Sequence, residues 1–209
     1  MALVIAVAQQ KGGTGKTTIA ANIATAFAAD CRVALLDIDP QRTLTRWHGL
    51  RLARSVPAAA LGFSDVSGWR LAAELARLRA NNDVVVIDSP PQVDTDAKLA
   101  IRGADLVLVP VQPSPPDVWA AEATLKIAAE ERRAVHMVLN RVPAASRLRD
   151  SVRADIVARG LPVLQSELGN RTSFAMAFAE GLGVVEGDAR SQAADEMRAL
   201  LAEIRGLAE

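Results

Sequence analysis

The sequence predicts one doubly wound α/β domain built on a mostly parallel sheet, and three observations carry that expectation. Short apolar runs without polar alternation recur between helix-period segments along all 209 residues. Several of these runs stop at a glycine-rich turn or an aspartate, which suits the ligand-binding edge of an open sheet. No linker, internal repeat or low-complexity stretch divides the chain, so residues 1–209 read as a single domain with right-handed crossovers. Half of the residues are apolar, enough to cover both faces of the sheet.

Leu3 to Ala8 reads as a buried strand, and Lys16 to Ala28 as an alanine-rich helix with Ile19, Ile23 and Phe27 at the helical period. Arg32 to Asp37 is the second strand. It runs into Asp37-Ile38-Asp39-Pro40-Gln41, where Pro40 favours an extended Asp39. A helix is expected from Thr43 to Arg54, and a short third strand from Val56 to Leu61 with Pro57 near its start or on an edge. Ser67 to Arg79 is helical, with Leu71, Leu75 and Leu78 as a core stripe. Asp83 to Asp88 is the clearest strand, because Val84-Val85-Val86-Ile87 has no polar face. A short helix from Asp94 to Gly103 and a buried strand from Asp105 to Pro110 follow. The turn Gln112-Pro113-Ser114-Pro115-Pro116-Asp117 opens a helix from Val118 to Glu131. Then come a strand from Ala134 to Asn140, an arginine-rich helix from Ala144 to Arg159 and a short strand from Pro162 to Leu164. Thr172 to Glu180 is a helix stopped by Gly181, and a last helix spans Ala189 to Leu207.

The formal charge is zero, which argues against a globally basic nucleic-acid binder. The distribution is uneven: between Arg132 and Arg171 eight arginines face only Asp150, Asp155 and Glu167. That excess suits either phosphate contacts or a solvated, salt-linked face. A single cysteine, Cys31, excludes an internal disulfide framework and any multi-cysteine metal or iron–sulfur site. With no run of 18 apolar residues and no basic leader before Leu3, neither a membrane span nor a secretory signal is expected, and the expected compartment is the cytoplasm.

The chemistry concentrates in Gln9-Gln10-Lys11-Gly12-Gly13-Thr14-Gly15-Lys16-Thr17-Thr18. A strand that breaks into glycines and resumes as a helix leaves backbone N–H groups converging on one anion. Gly15-Lys16-Thr17 fits the end of the phosphate-loop motif, with Lys16 reaching the β and γ phosphates and the Thr17 hydroxyl on Mg²⁺. Gln10 stands where the ordinary motif has its first glycine, and Lys11 is a second lysine inside the loop. Asp88 is placed to hold Mg²⁺, Asp37 to complete the metal environment and Asp39 to orient the attacking water. Each of these aspartates also has a plain reading as a helix cap or loop cap. Lys11 is available to reach the phosphates of a facing subunit, which requires an ATP-bridged dimer.

Lys-Gly-Gly-Thr-Gly-Lys-Thr at 11–17, Asp-Ile-Asp-Pro-Gln at 37–41 and Ile-Asp-Ser-Pro-Pro at 87–91 together resemble the deviant Walker-motif ATPases of the ParA/MinD family. Val-Gln-Pro-Ser-Pro-Pro-Asp at 111–117, the short length and the lack of a DNA-binding extension before the loop are similar to its small ParA-like members of the ParF type. The resemblance implies P-loop NTPase topology, ATP and Mg²⁺ as cofactors, and slow ATP hydrolysis in a nucleotide-sandwich homodimer. It assigns nucleotide binding to Lys11, Gly12, Gly13, Thr14, Gly15, Lys16, Thr17 and Thr18, and adenine recognition to Asn140 and Arg141. It gives Thr17, Asp37 and Asp88 to the metal, Lys11 to the partner's nucleotide, Lys16 to the phosphates and Asp39 to hydrolysis. It further implies nonspecific DNA binding by the ATP dimer at the nucleoid and a cargo-linked activator protein. Arg147, Arg149, Arg153 and Arg171 are the candidate DNA contacts, with Arg190 behind them.

Three other readings stay open at the level of sequence. A membrane-positioning ATPase of the MinD type wants a basic amphipathic C-terminal helix, but Asp195, Glu196, Glu203 and Glu209 outnumber Arg198 and Arg205 there. A small-molecule ligase of the dethiobiotin synthetase type shares the fold without needing Lys11 or the segment at 37–40. A switch that binds ATP and scarcely hydrolyses it would keep the same site.

Overall fold

A computed structural model describes residues 2–54, 60–91 and 95–208. Its sheet has seven strands, all parallel: β1 (Leu3–Val7), β2 (Val33–Asp37), β3 (Gly62–Asp65), β4 (Val84–Asp88), β5 (Leu106–Val111), β6 (Ala134–Val142) and β7 (Val163–Gly169). They lie in the order β3-β2-β4-β1-β5-β6-β7, so β1 is central and the chain winds outwards from it in both directions.

Every strand of the central group feeds two cores, which is why these segments show no polar alternation. Ile5, Val7, Val33, Leu35, Val84, Val86, Leu106 and Leu108 pack with α1 (Lys16–Phe27), α2 (Thr43–Leu52), α7 (Thr172–Ala179), α8 (Val184–Gly187) and α9 (Gln192–Ala208). Their neighbours Val4, Ala6, Ala34, Leu36, Val85, Ile87, Val107 and Val109 pack with α3 (Leu71–Asn81), α4 (Thr95–Gly103), α5 (Pro115–Glu130) and α6 (Arg147–Ala158). Each such side chain contributes roughly 1.5–3 kcal/mol by leaving water.

The structure departs from expectation mainly at the sheet edges. The third strand lies at Gly62–Asp65; residues 56–59 of the span expected for it are outside the described residues, as is Asp94. Strand β7 runs on to Gly169 because its polar residues Gln165, Ser166 and Glu167 sit on an edge, where they do not need to be apolar. A one-turn helix, α8, occupies part of the segment 181–187 expected to be loop. The last helix buries Met197, Leu200 and Ile204 against the sheet and α1, as a packed helix does. No helix among the described residues is long and apolar enough to cross a membrane.

Candidate functional site

Strand register brings the acidic residues to one place. Parallel pairing sets Val7 opposite Asp88 and Asp37 opposite Asp88, so the ends of β1, β4 and β2 are level. Side chains alternate along a strand, and Val84 and Val86 face the α1 layer, so Asp88 faces it too; Asp37 follows Val33 and Leu35 in the same way. The loop from β1 to α1 closes over that edge.

Within the loop, Gly13 and Gly15 have φ of 76° and 94°, a left-handed backbone that other residues adopt only with strain. Gly15 is also the N-cap of α1, and a Cβ there would stand 2.6 Å from the Asn140 amide nitrogen. That nitrogen donates to the Thr14 carbonyl at 2.7 Å, so Asn140 braces the loop from the end of β6. Lys16 is 6% exposed, and burial lowers its pKa, against the attraction of Asp88 and Asp39. An ammonium so desolvated awaits an anion.

The three aspartates have different environments. Asp37 is committed: its Oδ1 accepts from the Asp39 amide, and its Oδ2 accepts from the Thr45 amide at 2.8 Å and the Thr45 hydroxyl at 2.7 Å. It orders the loop after β2, and burial raises its pKa. Both Asp37 oxygens thus already accept from protein donors. Asp39 is 8% exposed and accepts from the Gln41 amide, which fixes its carboxylate beside Lys16. Asp88 is fully buried, with the Thr17 side chain beside it as a donor too loosely placed to satisfy either oxygen in full hydrogen-bond geometry. Burial pushes its pKa up to about 8; the Thr17 side chain pulls the other way, Asp37 and Asp39 add to the rise and Lys16 opposes it.

A carboxylate short of partners beside a threonine and a buried lysine fits a hard divalent cation that completes its shell with phosphate and water. Asp88 and Thr17 are the residues that would hold it. No group of three or more His, Cys, Asp or Glu among the described residues forms a self-sufficient metal cluster.

Beside the loop lies a cavity of about 370 Å³. Gly15, Thr18 and Ile19 form one wall, Leu168, Phe174 and Phe178 give it apolar surface, and Asn140, Arg141 and Asn170 stand at its polar end. Its size and lining suit a flat heteroaromatic group attached to phosphates held by the loop. Arg141 is exposed, with φ of 55°. Phe174 and Phe178 were legible only as helix residues, since nothing in their spacing distinguishes a cavity wall from a core stripe.

Lys11 does not point into open solvent. Its Nζ bonds Asp117 Oδ2 at 2.7 Å, near the start of α5. In the sequence Asp117 stood only as the last residue of the helix-opening turn.

Of the candidate DNA arginines, Arg171 lines the cavity beside the loop, and three of the four are already engaged. Arg149 bonds Glu167 and Asp150, Arg153 bonds Glu167, Gln165 and the Leu164 carbonyl, and Arg171 bonds Glu196. For these three the salt-linked face is what the structure contains. Arg147 and Arg190 are exposed and form no ion pair among the described residues.

A family model for the CobQ/CobB/MinD/ParA nucleotide-binding domain matches residues 5–184. The chain is 34% identical over 211 residues to maintenance of carboxysome distribution protein A from Halothiobacillus neapolitanus, covering 97% of this chain and 96% of that protein. It is 30% identical to protein ParA from Rhizobium radiobacter, covering 85% and 83% of the two chains. Among solved structures, MinD with Mg-ADP from Pyrococcus horikoshii superposes with a TM-score of 0.83 at 19% identity, over 100% of this chain and 98% of that one. An ATP complex of a McdA variant from Cyanothece gives a TM-score of 0.79 at 20% identity, over 99% and 96%. At these identities the structural likeness speaks for the fold.

Proposed function

We propose, from the premise that this chain belongs to the CobQ/CobB/MinD/ParA family of nucleotide-binding domains, that it is an ATP-dependent positioning ATPase of the ParA/McdA kind. Its finer reading is a protein that dimerises around Mg-ATP, binds DNA without sequence preference in that state, and releases it when a cargo-linked partner stimulates hydrolysis. The observation that carries the reading is the buried Asp88, short of partners beside Lys16 and Thr17, at the mouth of a loop that also holds Lys11.

In this reading the loop amides and Lys16 bind the β and γ phosphates, and the purine occupies the cavity between α1 and α7. Asp88 and Thr17 hold Mg²⁺, which when bound neutralises charge on the phosphate oxygens. Asp39 orients the attacking water and Asp37 holds the loop that presents Asp39. Lys11 of each copy reaches the other's nucleotide, adding positive charge where the transition state needs it.

A dimer brings two copies of any basic surface to one duplex, so a chain of zero net charge can still bind phosphates additively. Arg147 and Arg190 are the unpaired members of the arginine set, and Arg149, Arg153 and Arg171 would contribute through the parts of their guanidinium groups not used by carboxylates. The cargo is a carboxysome, a plasmid or a chromosome region, the relatives including a carboxysome-distribution protein and a chromosome-partitioning protein.

The test is binding to a nonspecific duplex with Mg²⁺ and ATP, ADP or no nucleotide across a salt series. Binding confined to ATP and weakening steeply with salt is the expected result. An ATP dimer that binds no duplex at any salt concentration overturns the DNA part of the reading.

A further inference from the structure

The partner that Lys11 has in this structure is an unusual carboxylate. Asp117 sits in the first turn of α5, with Ser114 as N-cap and Pro115 and Pro116 as the first two helical residues. A carboxylate at this position ordinarily finds backbone N–H donors at the helix start. Here the two prolines have no N–H to offer, and the Ser114 amide is spent on the Gln112 carbonyl at 2.7 Å. Asp117 Oδ1 is consequently buried without a partner, while Oδ2 receives the Ser114 hydroxyl and Lys11 Nζ. The Asp117 side chain is 5% exposed and that of Lys11 43%, so the pair has a dry end and a wet end.

We propose that Asp117 is a positioning residue that stores Lys11 within its own chain until a second copy's nucleotide takes it. The proline pair sets this up by removing the donors that would otherwise satisfy Asp117, which leaves the lysine as its only cationic partner among the described residues. The same helix start makes release feasible, because the α5 dipole and the Ser114 hydroxyl still favour the carboxylate once the ammonium has left. Lys11 can leave through its exposed side without opening the core. Its departure costs one charge-assisted bond, which two or three nucleotide oxygens repay and a solvated lysine does not. The store therefore raises the nucleotide occupancy needed for dimers and suppresses pairing of empty chains. This inference rests on the reading of Lys11 as acting across a dimer.

The full chain carries the test in two measurements. In the ADP state, a brief acetic anhydride pulse followed by peptide mass spectrometry reports the reactivity of the Lys11 amine against Lys126 as internal reference. Asp117→Asn, which keeps shape and the serine contact, is expected to raise Lys11 labelling about 3- to 10-fold, and Asp117→Glu to return it towards wild type. Equal labelling in wild type and Asp117→Asn overturns the store. In parallel, light scattering follows dimer formation against the concentration of Mg²⁺ with a nonhydrolysable ATP analogue. Asp117→Asn should lower the half-point by about 3- to 10-fold, since a larger fraction of chains is ready to pair. Dimers with an unmoved or raised half-point overturn the store alone. If wild type forms no dimer at saturating analogue, the dimer reading fails and the release step fails with it, although labelling still reports the contact.

Discussion

The loop edge of the sheet and the arginine-rich half of the molecule handle charge in opposite ways. At the edge, the Asp88 carboxyl and the Lys16 amine are buried with too few partners of their own, so the fold holds polar groups that its own donors and acceptors do not fully satisfy. Around α6, β7 and α9, three of the four candidate arginines have carboxylates: Arg149 and Arg153 share Glu167, and Arg171 takes Glu196. Unsatisfied polar groups in a folded interior are expensive, and they persist where a ligand completes them. Paired groups need no ligand. An excess of arginine is therefore weaker evidence for a binding surface than one buried aspartate that the fold leaves short of partners.

The contrast breaks most readily at Lys16. Lys16→Ala should weaken Mg-nucleotide binding by at least about 100-fold, as loss of charge-assisted bonds to phosphate does, while leaving thermal stability unchanged or slightly raised. Titration with a fluorescent ATP analogue beside a melting curve reads both, and a loss of affinity under about threefold would mean the lysine is structural. Glu167→Gln probes the other region: it should cost about 1–3 kcal/mol in urea unfolding by leaving Arg153 poorly compensated, with no effect on nucleotide affinity. If stability is unchanged, those pairs hold nothing together and the arginines return as candidates for phosphate.

At Asp88 the effect depends on pH, and its sign follows from proton counting. The carboxyl is held up to about 8 in the folded chain against 3.8 for an ordinary aspartate, so between those values the folded form keeps a proton that the unfolded form has lost. Stability of the nucleotide-free protein should thus fall as pH rises through this window. Asp88→Asn removes that slope: little change near pH 4, and a gain in denaturant titrations that grows with pH across the window, by up to about 1.4 kcal/mol per pH unit. A variant with the same pH slope as wild type would show that Asp88 is not the protonated group.

What the sequence made legible was local. The strand ends, the glycines of the loop and the aspartates after β2 and β4 were readable because each depends on neighbours a few residues away. Edges were less so: β3 begins after Leu61, and β7 extends over Gln165-Ser166-Glu167, because an edge strand tolerates residues that a buried one excludes. Pairings across long separations were invisible. Asp117 lies 106 residues from Lys11, and Glu196 lies 25 from Arg171, so only the fold reveals which charge each residue meets. Asp37 and Asp88 were both assigned to the metal by sequence, and burial with hydrogen bonding is what sets Asp37, held by Thr45 and the Asp39 amide, apart from the more open Asp88.

The central place of β1 sets an order of events during synthesis. Its hydrogen-bonding neighbours are β4, at residues 84–88, and β5, at residues 106–111. A chain leaving the ribosome exposes its first strand for the time needed to make some hundred residues more. The phosphate loop cannot take shape before then, since Asp88, the turn after β5 and Asn140 all help to form its surroundings. Nascent chains should accordingly acquire nucleotide only after most of the sheet has emerged, with the early apolar segment dependent on rapid completion or a chaperone to escape self-association.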